Sequence, residues 1–177
     1  MNHNSDTRIF VETGNLPLKH SILRTIAIGL SLFTFTSAQA SEGTVTFEVL
    51  TPETALQAAR AALENCRASG YQVAVAVVDR FGGIQVVLRD QLAAPRTVDT
   101  AVGKARTAAG FRTNTTDIVS VTTEGTPQAG IRNLPGVIVI GGGMCIEAAG
   151  SLVGGIGVSG APGRISMIFA LRPELTI

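Results

Sequence analysis

Residues 136–163 read GVIVIGGGMCIEAAGSLVGGIGVSGAPG, and half of the chain's 20 glycines fall in this stretch. Three short apolar runs alternate with the glycines: Val137–Ile140, Met144–Ala149 and Leu152–Val158. Each run is too short for a helix and is bounded by turn residues, so the pattern predicts three strands in a meander. Ala149-Gly150-Ser151 predicts a tight hairpin turn, because glycine accepts the positive φ that such turns need. We expect the rest of the domain to pack on this meander.

A helix and a strand pair are predicted upstream. Thr51-Pro52-Glu53 is typical of a helix start, with Thr as N-cap, Pro at the first position and an acid in the first turn. Apolar residues then repeat at helical spacing until Gly70, a natural stop, and these are Leu56, Ala59, Leu63 and Cys66. Val73–Asp79 is apolar at odd and even positions, which predicts a strand buried on both faces. Phe81-Gly82-Gly83 predicts the turn into a second strand, Ile84–Arg89.

A second long helix is predicted over Thr97–Arg112. One face is apolar and consists of Val98, Ala101, Val102, Ala105 and Ala109. Another face carries Thr100, Lys104, Thr107 and Phe111. This second face has two interpretations: packing of the helix on a sheet, or a ligand-binding face with a cation, a hydroxyl and an aromatic ring. The alanines and glycines of the helix predict close approach by another element.

Residues 1–40 have the pattern of an export signal. Lys19, His20 and Arg24 form a basic region, Ile26–Thr36 is an apolar core, and Ala38-Gln39-Ala40 is a small-x-small cleavage site. The apolar core is too short to cross a bilayer as a helix, so we expect no stable membrane span, with an uncleaved anchor as the alternative. We predict cleavage after Ala40 and a periplasmic or secreted location. Residues 1–17 are predicted to be an extension that precedes the true start.

The charge and motif content of the mature chain exclude several classes of function. Removal of residues 1–40 leaves 11 basic and 11 acidic residues and no histidine. Nucleic acid is therefore not an expected partner, and a Ser-His-Asp triad is excluded. Gly155–Gly160 matches the dinucleotide motif GxGxxG, but Pro162 follows where that motif requires a helix. Cys66 and Cys145 pair as a disulfide or remain buried thiols, and the sequence favours thiols.

Three motifs occur in order: VAVAVVDRFGGIQVVLRD, GKARTAAGFR and GGGMCIEAAGSLVGGIGVSGAPG. Together they resemble the family of haem-binding GlcG and HbpS proteins, which is similar to the C-terminal domain of PduO-type cobalamin adenosyltransferases. The resemblance covers about residues 47–163. It implies an α/β (α+β) fold, with an antiparallel, profilin-like sheet of about five strands flanked by helices. It also implies assembly into homo-oligomers and binding of haem or a related tetrapyrrole.

The resemblance directs the search for a haem site to the second helix and the glycine run. Lys104 and Arg112 are the predicted propionate partners, because a carboxylate needs a cation or a pair of donors. The remaining predicted cofactor-binding residues are Thr107, Phe111, Gly142, Gly143 and Met144. No metal ligand is assigned, and no catalytic residue. Without histidine, the candidate iron ligands are Tyr71, Cys66, Cys145, Met144, Met167 and the hydroxyl of Thr107.

Three functions remain open. The leading hypothesis is an exported protein that binds haem or another tetrapyrrole. The second is an enzyme acting on a small molecule, with haem degradation as an example, although the mature chain lacks histidine and a metal-ligand cluster. The third is an oligomeric accessory protein without a small ligand.

The last 14 residues, RISMIFALRPELTI, depart from the family pattern, which continues after GAPG with an acidic, Cys-containing helix. Pro173 would interrupt a terminal helix. We therefore predict that the reading frame shifts near Gly163 and that residues 164–177 are an atypical tail.

Overall fold

A computed structural model of the chain describes residues 43–162. The chain divides after Thr44, and the fold below belongs to the second unit. The elements in chain order are α1 (Pro52–Ala68), β1 (Ala74–Asp79), β2 (Ile84–Arg89), α2 (Thr97–Phe111), α3 (Thr115–Val121), a 3-10 helix (Ala129–Asn133), β3 (Gly143–Ala148) and β4 (Ser151–Ser159). The predicted export signal and the predicted atypical tail lie outside the described residues, so both stay predictions.

The strands form one antiparallel sheet in the order β2-β1-β4-β3. Helix α1 packs on one face of the sheet, where Val75, Val77 and Ile156 belong to the main core. Helix α2 packs on the opposite face against the small residues Ala74 and Ala76. The predicted antiparallel sheet flanked by helices is confirmed. The residues that the structure describes hold four strands where about five were expected.

Helix α1 begins and ends at the residues that the sequence predicts. The Thr51 side chain accepts a hydrogen bond from Thr54 N at 3.3 Å, and Pro52 is the first helical residue. Gly70 has a φ of +81°, and Tyr71 N beyond it donates to Cys66 O at 2.9 Å. This bond satisfies one of the last carbonyls of the helix, which is the usual role of a glycine at this position.

The central strand β1 is buried on both faces, as its continuous apolar sequence predicts. Val75 and Val77 lie under α1, whereas Ala74 and Ala76 lie under α2, and all four are fully buried. Ala148 and Ser151 are paired across the β3–β4 hairpin, whose two turn residues, Ala149 and Gly150, have φ values of +48° and +77°. Two positive φ values match the predicted tight turn.

The predicted strand Val137–Ile140 is wrong. Thr115 and Asn114 occupy the free edge of β3, where a further strand would have to pair. Gly143 N donates to Thr115 Oγ1 at 2.8 Å, and Cys145 N donates to Asn114 Oδ1 at 3.0 Å. The segment lies along α2 instead, where Ile138 N donates to Thr107 Oγ1 at 2.9 Å. Side chains thus satisfy backbone donors that a fifth strand would have paired.

Glycines let α2 lie directly on the sheet. A Cβ atom placed at Gly155 would lie 2.5 Å from Ala105 O, and one at Gly143 would lie 2.5 Å from Lys104 O. A Cβ at Gly157 would overlap Ala101 O even more closely. The backbone of α2 therefore rests against the backbone of β3 and β4, which is the close approach that the glycines and alanines predict.

Candidate functional site

A cleft of about 880 Å³ lies between α2, β2 and residues 135–138. Its walls are mainly apolar and include Val87, Val98, Val102 and Ile138. The polar side chains that line it are Asp99, Arg106 and Thr107, all from α2. A concave, largely apolar site of this size with a few polar groups is the usual form of a small-molecule pocket.

Residues 135–138 form one wall of the cleft, and α2 holds them in place. Besides the bond from Ile138 N to Thr107 Oγ1, the Ile138 side chain occupies the space above Gly103, where any Cβ atom would overlap it. Gly103 has no side chain, so the Ile138 side chain can pack directly against the helix. Gly103 of α2 therefore shapes the cleft, whereas the glycines of β3 and β4 shape the contact of α2 with the sheet.

Arg106 is the cation of the cleft, and the sequence analysis missed it. Its side chain is exposed, and its Nε donates to Gly82 O at 2.9 Å in the β1–β2 turn. Val102, Arg106 and Gly110 follow one another at four-residue spacing and all line the cleft. Residues at this spacing form a stripe along the helix. The stripe lies at the boundary between the predicted apolar face and the face that carries Thr100 and Lys104. A search for cations one turn from an exposed helical glycine would have found Arg106.

Two of the seven predicted cofactor-binding residues line the cleft, namely Thr107 and Phe111. Arg112 is exposed at the end of α2 with a φ of +52° and does not line it. Gly142, Gly143 and Met144 lie at the start of β3, where Met144 belongs to the core beneath α1. Roles for these four residues in binding stay predictions.

Lys104 lies inside the protein and not in the cleft. Its side chain is 3% exposed, and its Nζ donates to Val158 O of β4 at 3.0 Å. Burial lowers the pKa of Lys104 below its ordinary value, because the charged ammonium is removed from water. Its contact with a propionate stays a prediction, and it would require the ammonium to leave Val158.

The two cysteines lie on opposite faces of the sheet and are free thiols. Cys66 is fully buried on the sheet-facing side of α1, whereas Cys145 Sγ contacts Ala108 O of α2 at 3.4 Å. Burial raises the pKa of both thiols, and the carboxylates of Asp90 and Glu147 add to the rise at Cys66 and Cys145 respectively. The sequence preference for thiols over a disulfide agrees with this arrangement, although Cys145 is half-buried where a buried thiol was expected.

No usual iron ligand lines the cleft among residues 43–162. Tyr71, Cys66 and Met144 pack in or against the core beneath α1, and Met167 lies outside the described residues. The oxygen donors in the cleft are Thr107 and Asp99. Within the described part of the chain, no three His, Cys, Asp or Glu side chains group as a metal site. No described helix is long and apolar enough to span a membrane.

The family of the chain follows from a match over most of its length. The family model described as haem degrading protein HbpS-like matches residues 50–172. The chain belongs to the HbpS-like family. This match confirms the resemblance drawn from the three motifs.

Solved structures of the HbpS-like fold agree with this assignment. A double mutant of HbpS from Streptomyces reticuli is 36% identical over 74% of this chain and 88% of its own, with a TM-score of 0.69. The PduOC–haem complex is 29% identical over 70% of this chain and 91% of its own, with a TM-score of 0.65. ORFY from Klebsiella pneumoniae, at 24% identity and a TM-score of 0.71, shares the fold over 74% of this chain and 92% of its own. No curated protein sequence matches the chain significantly.

Proposed function

We propose that this HbpS-like chain binds haem or a related tetrapyrrole in the α2 cleft. The cleft itself is the observation that carries the proposal, because it joins about 880 Å³ of mainly apolar space to one exposed cation, Arg106. The similarity to PduOC, whose structure contains haem, supports the same ligand class. An apolar cleft suits the porphyrin ring, and a guanidinium suits a propionate.

The donor set of the cleft fits the porphyrin better than it fits the iron. Thr107 and Asp99 supply oxygen atoms, whereas haem iron in proteins is usually held by His, Met, Cys or Tyr. Thr107 Oγ1 already accepts a hydrogen bond from Ile138 N. Affinity should therefore come from burial of the ring, and metal-free protoporphyrin should bind nearly as well as haem.

Hemin titration of a variant with a filled cleft tests the proposal. Gly110 lines the cleft, and a Cβ atom there would have no neighbour within 4 Å, so a large side chain can enter the space. Gly110→Trp should weaken hemin binding by about tenfold or more, because the indole occupies volume that the ring needs. The measurement is the Soret shift as hemin is added.

Gly110→Ala is the matched control and should bind hemin as the wild type does. The chain has no tryptophan, so a blue-shifted emission will report whether the introduced indole sits in the apolar cleft. A Gly110→Trp protein with such emission and unchanged hemin affinity would place haem elsewhere. Absence of a Soret shift in the wild type would contradict haem binding altogether.

Haem degradation is a second candidate, because the matching family model is described as haem degrading. Binding alone leaves the Soret band stable, whereas degradation consumes it. A haem-loaded sample in air with a reductant distinguishes the two, since only degradation would replace the Soret band by bile-pigment absorbance.

We infer export from the sequence of residues 1–40, and this proposal is independent of the cleft. The basic region, the apolar core and Ala38-Gln39-Ala40 support it. N-terminal sequencing of protein recovered outside the cytoplasm should begin at Ser41. A recovered chain that retains Ile26–Thr36 would contradict the prediction.

We also propose that the chain forms a homo-oligomer. The sequence-based reason, a strand that is apolar on both faces, does not carry it, because α1 and α2 cover both faces of β1. Support comes instead from two neighbouring exposed rings: Phe47 is 46% exposed and Phe81 72%, and their centroids lie 5.6 Å apart. Large apolar side chains that cluster on a surface are typical of contact regions. Light scattering at micromolar concentration should give a multiple of the monomer mass, and a monomer mass throughout would refute the proposal.

A further inference from the structure

A second, smaller pocket adjoins the α2 cleft. It measures about 350 Å³ and is lined by Arg80, Phe81, Gly82, Arg106 and Gly110. Arg106 and Gly110 also line the larger cleft, so the two spaces meet at these residues. A Cβ atom at Gly110 would have no neighbour within 4 Å, and glycine therefore leaves the junction open. A single ligand can thus extend from the apolar cleft into the smaller pocket.

Two guanidinium groups line the smaller pocket. The Arg106 Nε donates to Gly82 O, and its Nη atoms have no hydrogen-bond partner among residues 43–162. Arg80 lies with its guanidinium carbon 4.0 Å from the Phe47 ring centroid and 5.7 Å from that of Phe81. Neither arginine pairs with a carboxylate in the described part of the chain. The rings hold Arg80 in place and leave its N–H groups available.

The nearby acids do not neutralise this pair. Asp79 Oδ1 accepts hydrogen bonds from Phe81 N at 2.8 Å and Gly83 N at 2.9 Å, so that oxygen stabilises the turn. Asp99 lines the larger cleft but precedes Arg106 by seven residues, which is about 10 Å along a helix. The combined site therefore has an acidic end at Asp99 and a basic end at Arg106 and Arg80.

We infer that the smaller pocket is a subsite that binds the anionic group of an apolar ring ligand. Arg106 determines the preference for an anion, and Arg80 contributes to it. The inference rests on the proposed function and deepens it: the ring lies in the cleft, and a free carboxylate reaches the guanidinium groups past Gly110. A planar guanidinium with free N–H groups is the side chain best suited to a carboxylate. The ligand class is a flat apolar acid. Arg106 is thus a further expected carboxylate partner, beside the predicted Lys104 and Arg112.

A pair of matched fluorescent probes tests the subsite without haem. Anilinonaphthalene sulfonate and N-phenylnaphthylamine share the same ring body, and only the first carries an anion. Arg106→Gln should lower the preference for the sulfonate over the neutral probe by about tenfold, the size expected for one charge-assisted hydrogen bond. Arg80→Gln should lower it less, because Arg80 lines only the smaller pocket.

Arg96→Gln is the matched control, since Arg96 is an exposed arginine at the start of α2 and lines neither pocket. It should leave the preference unchanged, and added salt should weaken the wild-type preference by screening. Gly110→Trp should reduce binding of both probes. An equal loss in the Arg106 and Arg96 variants, or no loss in either, would overturn the inference.

Hemin and its dimethyl ester separate this inference from the proposed function. Wild-type protein should bind hemin about tenfold more tightly than the ester, and Arg106→Gln should remove the difference. Equal binding of both by the wild type would overturn the subsite and leave haem binding intact. If neither binds while the probe preference depends on Arg106, the proposed function fails and the subsite stands for another apolar acid.

Discussion

Gly157→Ala is expected to destabilise the protein by about 4 kcal/mol or to prevent folding. The added methyl group would overlap Ala101 O and would lie 2.7 Å from Ala105 N. Both are backbone atoms of α2, so no side-chain rotation relieves the overlap and the helix must move off the sheet. Since α2 forms a wall of the cleft, ligand binding should be lost together with stability. Urea denaturation followed by circular dichroism measures the effect.

Gly110→Ala adds the same methyl group to the other side of α2, where nothing lies within 4 Å. It should stabilise the protein by about 0.5–1 kcal/mol, because alanine favours the helix and restricts the unfolded chain. The opposite signs of the two changes would show which side of the helix touches the sheet. A Gly157→Ala protein with a wild-type unfolding midpoint would show that α2 does not rest directly on β4.

Asp90→Asn should cost about 3 kcal/mol of unfolding free energy. The Asp90 side chain is 2% exposed, its Oδ1 accepts from Arg67 Nε at 2.6 Å, and its Oδ2 accepts from Val73 N at 3.0 Å. These bonds join the last turn of α1 to the residues beside β1 and β2. An amide at this position would turn an N–H group toward one of the two donors and leave it without an acceptor. Thermal or urea unfolding of the variant measures the loss.

Two variants control for the effects of charge and of geometry. Asp117→Asn makes the same change on the exposed first turn of α3 and should alter stability by about 0.5 kcal/mol or less. Arg67→Lys keeps the charge but loses the paired donors of the guanidinium, and should cost about 1 kcal/mol because Arg67 is 52% exposed. If Asp90→Asn proves no more damaging than Asp117→Asn, the buried carboxylate does not hold these elements together.

Local chemistry was enough to predict most elements of the fold. Thr51 and Pro52 mark the start of α1 and Gly70 its end, and each signal acts within one turn of helix. The continuous apolar sequence of β1 predicts burial on both faces, and the Ala149-Gly150 turn places β3 beside β4. These predictions succeed because the residues that carry the signal also make the interactions.

The cleft depends on segments that are distant in sequence. Arg106 lines the cleft because its Nε donates to Gly82 O in the β1–β2 turn and because Gly110 leaves space beside it. Lys104 lies two residues away on the same helix, but its ammonium donates to Val158 O inside the protein. Two cations two residues apart lie about 200° apart around a helix, so the position of the sheet decides which of them meets a ligand.

The sequence of this protein determined its two long helices, its hairpins, its two-sided central strand and its family, since each depends on neighbours along the chain or on a motif. Tertiary structure alone decided that Val137–Ile140 is not a strand, because Asn114 and Thr115 occupy the edge of β3, and that residues 135–138 form a wall of the cleft. It also decided that Lys104 and Thr107 are buried whereas Arg106 is exposed. Backbone donors bind whichever acceptor the folded chain brings near, and that choice is made by segments far apart in sequence.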